Sequence, residues 1–191
     1  MGSPDLDTRP PEMKRSTMFA WVQRCPDCGY CAANVSTPLS ISSSIVRSED
    51  YQSRLRYPTF PELANTFLCQ SLLTRESGEL IVSAMASMHA AWVCDDGDYA
   101  MQARACRMQA AELFRMAEEK GKSISKQAGV ATAIRVDLLR RAGRFLEAGK
   151  LITGHDTSSC DEIINRILEA QFNLIDNEDT ACHTIQEVMT E

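Results

Sequence analysis

Two short stretches decide how this chain is read: WVCDDGDY, residues 92–99, and LLRRAGRF, residues 138–145. Each places an apolar anchor five residues before a glycine and an aromatic two residues after it. The second continues as GRFLEAGKLI, with Ala148 five residues past Gly143; the first has Ala103 six residues past Gly97. Such a pattern brings two helices together at a tight turn, with the glycine taking the left-handed conformation, the aromatic packing across it and the alanine leaving room for close approach. The flanking residues carry the matching helical period. Tyr99, Ala103, Cys106, Ala110, Leu113 and Ala117 recur at steps of four and three, which places them on one face. Ile164, Ile167, Leu174 and Ile175 do the same further on.

The turns resemble the helix-turn-helix hairpin of tetratricopeptide repeats, spaced here by 46 residues where that family has 34. Working outward, the periodicity predicts helices over residues 61–75, 78–94, 98–119, 124–141, 144–152, 159–175 and 179–189. Pro61 and Glu62 after Thr59 suit a helix start. Upstream the texture differs. Residues 1–18 are polar and proline-bearing and read as a loop or extended arm, FAWVQ at 19–23 reads as a strand, and residues 36–59 read as a connector with a short helix near SEDYQSRLR. The expected organisation is a zinc-ribbon-like segment and connector over 1–58, then a mostly α helical hairpin array over 59–191.

The chemistry-bearing stretch is RCPDCGYCAANVS, residues 24–36, which holds Cys25, Cys28 and Cys31. In a zinc knuckle the turn between two such cysteines directs both sulfurs at one ion, and the glycine after the second relieves the turn. In a redox dithiol the first cysteine would open a long helix, but Gly29 and the polar run to Pro38 leave no room for one. The knuckle is therefore favoured over the redox pair, and a degenerate or truncated knuckle that binds metal weakly or not at all is kept beside both as an alternative. An iron–sulfur run would want a further cysteine at position 35, which is Val35. Cys31 is the candidate third ligand, and His89, His155 and His183 are the distant candidates for a fourth.

STMFAWVQRCPDCGY followed by an acidic, all-helical region resembles the bacterial family known as domain of unknown function 2225. In that family a CPxCGY knuckle pairs with an earlier C-x2-C and precedes helical repeats. The resemblance implies zinc ligation by Cys25 and Cys28; this sequence has no cysteine before Cys25. It implies architecture and no reaction.

Composition sets the remaining expectations. The formal charge is −6; residues 1–59 carry seven Lys/Arg against six Asp/Glu, which leaves thirteen of 20 against twenty of 26 for residues 60–191. An acidic chain disfavours a broad nucleic-acid footprint, so a nucleic-acid role would fall to Lys14, Arg15, Arg24 and Arg47. Asp5, Asp7, Arg9 and Glu12 interrupt the opening residues where a signal peptide would be apolar, and no run is long enough to span a bilayer, so the cytoplasm is the expected compartment. There the scattered Cys69, Cys94, Cys106, Cys160 and Cys182 are expected to pack as small hydrophobes. Asp95-Asp96-Gly97-Asp98 lacks the ligand alternation of a calcium loop and reads as a helix-ending turn; Arg140-Arg141-Ala-Gly-Arg144 reads as a helix C-terminus. No nucleophile motif or phosphate loop is present. The expected function is a non-enzymatic scaffold that binds another protein through its helical surface.

Overall fold

A computed structural model describes residues 2–37 and 43–190, so residues 38–42 of the expected connector lie outside the described residues. The protein is mostly α, with 62% of it helical and 3% in strands. Its contacts divide it into two compact units, residues 16–117 and residues 1–15 with 118–191, which does not coincide with the boundary expected at 58/59. No helix among the described residues is long and apolar enough to cross a membrane.

The unit of residues 16–117 opens differently from the sequence expectation. The predicted strand at 19–23 is instead the end of a 3-10 turn over Arg15–Ala20, and extended pairing begins only at β1, Gln23–Arg24, opposite β2, Cys31–Ala32. Tertiary packing overrides the β propensity of this aromatic run: Trp21 N–H donates to the Met18 carbonyl, and the Trp21 ring lies edge-on to His89 and Trp92. Two short helices follow, α1 (Ser43–Arg47) and α2 (Glu49–Leu55), the latter capped by Ser48 Oγ, which accepts from Tyr51 N–H. Then come α3 (Glu62–Glu76), α4 (Leu80–Asp96) and α5 (Ala100–Glu119).

Helices α3 and α4 fold back on each other. Leu80, Ala84, Met88, Ala91 and Trp92 are all buried, so α4 is covered on several sides, as its nearly all-apolar sequence demands. Small polar residues meet at the α3/α4 contact. Ser71 Oγ lies 3.0 Å from Ser83 Oγ and 2.8 Å from Ser87 Oγ, and Gln109 Nε2 of α5 donates to both Ser71 and Ser87. This network satisfies every hydroxyl it buries. The α5 stripe is buried at Ala103, Cys106, Ala110, Leu113 and Ala117, while Tyr99 remains 40% exposed at its edge.

In the other unit the helices are α6 (Val130–Arg141), α7 (Phe145–Thr153), α8 (Glu162–Asp176) and α9 (Ile185–Thr190). Leu6, Ala133, Ile164, Ile167, Leu168 and Val188 form its apolar core. Two predicted starts shift. Helix α6 begins at 130 and not 124, because Ser123 and Ser125 hydroxyls accept backbone amides two residues on and Gly129 sits at φ +79°. Helix α9 begins at 185 and not 179, because Asp179 accepts the Ala181 amide and the true cap is Thr184, which exchanges hydrogen bonds with Glu187 as a capping box.

The arm of residues 2–14 has little regular structure yet is firmly held. Leu6 N–H donates to the His183 carbonyl and Asp5 bridges Thr184. Asp5, Asp7 and Arg9 are buried, Asp5 pairs with Arg15 at 2.8 Å, and Asp7 with Arg141 at 3.1 Å. Arg140, fully buried, pairs with Asp137 at 2.7 Å and donates to the carbonyls of Asp179 and Ala181. The basic run at 140–144 thus spends its first two guanidinium groups on internal partners.

Candidate metal knuckle at the Cys25–Cys28 hairpin

Residues 25–30 connect β1 to β2, which pair antiparallel with Gln23 opposite Ala32 and Arg24 opposite Cys31. The loop closes by Cys25 N–H donating to the Tyr30 carbonyl at 2.8 Å and Gly29 N–H to the Cys25 carbonyl at 2.9 Å. Gly29 is required twice over. Its φ is +78°, and a Cβ there would stand 2.6 Å from Leu55 Cδ2. Helix α2 clamps the loop from outside: the Tyr51 hydroxyl donates to the Gly29 carbonyl at 2.9 Å, and Gln52 Nε2 to the Cys28 carbonyl at 3.1 Å.

This turn brings Cys25 and Cys28 together. The Cys25 pKa is held below the usual thiol value chiefly by the nearby backbone amides of Cys28 and Asp27, then by the Cys28 thiol. Cys25 is half-buried and Cys28 exposed. Beside Cys28 a hollow of about 420 Å³ is lined by Arg24, Arg47, Gln52 and Arg56.

Cys31 is placed elsewhere. Its side chain is fully buried with Tyr51, Leu55, Cys69 and Leu73, and its thiol donates to the Gly29 carbonyl at 3.2 Å. Cys69 lies in the same buried cluster, its pKa pushed up by Cys31 and by burial. The Tyr51 hydroxyl is likewise pushed up by burial and by Cys31. Among the described residues no three His, Cys, Asp or Glu side chains form a group able to hold a metal ion. The histidines are engaged separately: His89 lies with its ring centroid 4.9 Å from Trp92 and 5.2 Å from Trp21 and Phe67, His183 Nε2 lies 3.0 Å from Asp179, and His155 lies beside Cys160.

The hairpin thus carries two thiols on one turn, half the number of protein donors that a tetrahedral structural zinc site takes. The thiol pairing of Cys31 with Cys69 and of Cys94 with Cys106 was not visible in sequence. The cysteines of each pair belong to separate elements, and only the strand alternation that turns Cys31 inward hints at one of them. No protein-family model matches the chain, and no curated protein or solved structure shows significant similarity to it.

Proposed function

We propose that this chain is a non-enzymatic protein-interaction module in which Cys25 and Cys28 supply two thiolate ligands of a zinc ion, the other two positions being filled by a second chain. The observation that carries this reading is the hairpin closure, Cys25 N–H to the Tyr30 carbonyl and Gly29 N–H to the Cys25 carbonyl, which sets Cys25 and Cys28 on one tight turn whose amides favour the Cys25 thiolate. Backbone amides directed at thiolates are what a metal knuckle requires before the ion arrives. Arg24, Arg47 and Arg56 add charge that offsets the net negative charge of a tetrathiolate zinc centre. When bound, the ion supplies a structural cross-link. The resemblance to domain of unknown function 2225 supports the ligand assignment, and the helical hairpins support a scaffold role.

A second reading is a thiol–disulfide couple, favoured by the lowered pKa of Cys25 beside an exposed Cys28. One experiment separates them: zinc content and molar mass of protein purified without chelator, before and after chelation. About half a zinc per chain with a dimer that dissociates on chelation is the expected result when the second chain is another copy. A monomer that retains zinc would sink the bridging idea. A metal-free monomer whose Cys25 and Cys28 interconvert reversibly between dithiol and disulfide would move the assignment to the redox couple.

A further inference from the structure

Cys160 lies in the connection between α7 and α8, and its Sγ is 3.4 Å from Nε2 of His155. On the far side of the imidazole, Nδ1 lies 3.2 Å from Oγ1 of Thr132 on α6. The thiol and the ring meet over a backbone position that has to be bare: a Cβ at Gly129 would stand 2.6 Å from Cys160 Sγ and 3.4 Å from His155 Nε2. Gly129 is also the N-cap of α6, so the sulfur rests at the amino end of a 12-residue helix, where the dipole favours an anion. Cys160 and His155 are both half-buried, open enough to be reached.

The three side chains form an ordered relay. When Nδ1–H donates to the Thr132 hydroxyl, Nε2 carries the lone pair and faces the thiol. A base aimed at a cysteine, with a third group fixing the base, is the arrangement that activates a sulfur nucleophile. We propose that Cys160 is a nucleophilic modification site, with His155 as its base and Thr132 as the residue that positions the ring, and that its co-reactant is a small uncharged oxidant of the hydrogen peroxide class. Polarity sets that class: Val130 and Ile152 pack, like Cys160, against the apolar cluster that includes Ile164, and such surroundings favour an uncharged molecule.

His155 takes the thiol proton and the thiolate attacks one peroxide oxygen. The O–O bond breaks as the S–O bond forms, and the departing hydroxide takes the proton from His155 to become water. Sulfur loses two electrons to become sulfenic acid, and peroxide gains them. Among the described residues the charged group facing His155 is Asp156 on the same turn, whose carboxyl is held below its usual range by the Ser158 amide and hydroxyl and then by His155. Asp161, at the start of α8, accepts Gln127 Nε2 at 2.8 Å.

The test treats the full chain with limiting hydrogen peroxide, traps sulfenic acid with a cyclic 1,3-dione and counts labelled peptides by mass spectrometry. Cys160 is expected to label fastest of the cysteines outside the Cys25–Cys28 pair. His155→Asn should lower that rate by about tenfold or more. Thr132→Val should give an intermediate rate, and Thr132→Ser should restore it. The proposal is overturned if Cys160 labels no faster than Cys182, or if a folded His155→Asn chain reacts as fast as the parent. Should His155→Asn fail to fold, equal rates in Thr132→Val and Thr132→Ser overturn it in the same way.

Discussion

Cys31 packs with Cys69 in one fully buried cluster inside the core of residues 16–117, whereas Cys28, three residues earlier, is exposed. The cysteines of one C-x2-C-x2-C run therefore divide between two environments. Strand β2 turns Cys31 inward among Tyr51, Leu55 and Leu73, while the turn holds Cys25 and Cys28 outward.

Substitution should reveal that division. Cys31→Ala removes a fully buried sulfur, its bond to the Gly29 carbonyl and its packing in the cluster with Cys69, which is expected to cost about 1–2 kcal/mol, while Cys28→Ala in metal-free protein is expected to stay within about 0.5 kcal/mol. Urea unfolding of the two variants with chelator present measures both. Equal losses would show that the two cysteines share one environment.

The thiols should also separate by pH. Cys25 is held below the usual thiol value by the amides of Cys28 and Asp27, whereas Cys182 is pushed up to about 12, chiefly by desolvation of its sulfur and also by Asp5 and Asp7. Since the thiolate is the nucleophile, a lowered pKa brings reaction in at lower pH and a raised one delays it. Alkylation of metal-free protein by iodoacetamide, followed peptide by peptide as pH rises, should reach its plateau at Cys25 first, with Cys182 still rising at the alkaline end. The reverse order would contradict the amide bonding at Cys25.

The helices were legible because their period is carried by residues such as Ala103, Cys106, Ala110 and Leu113, which need no distant partner to be recognised. Their starts at 130 and 185 were less so, because single side-chain bonds from Ser125 and Asp179 decide them. The pair Cys25 and Cys28 could be read as a site because spacing alone brings them together. The relay of Thr132, His155 and Cys160 could not, since three elements assemble it. Nor could the buried arm, whose Asp5 and Asp7 look like solvated residues until Arg15 and Arg141 meet them.

The turns show the same limit and lead to a sharper test. Glycine and aromatic spacing marked two of them, yet among the described residues the same closure occurs four times. The amides of Glu79, Tyr99, Arg144 and Asp179 each donate to the carbonyl five residues back, with Gly78, Asp98, Gly143 and Glu178 at φ +83°, +61°, +73° and +52°. At the first marked turn the left-handed residue is Asp98 and not Gly97, whose φ is −104°; Gly97 instead clears space for the Tyr99 ring, 2.9 Å from where its Cβ would be. Glu178 is the fourth such residue, and it has no short side chain to soften the left-handed conformation. Glu178→Gly should therefore raise stability by about 1 kcal/mol, and Gly143→Ala should lower it by about as much, since each changes only the strain of a turn whose hydrogen bonds are already formed. Thermal and urea unfolding of both variants would check this. A Glu178→Gly chain less stable than the parent would mean that Glu178 makes a contact outweighing its backbone strain, and the shared closure would not extend to that turn.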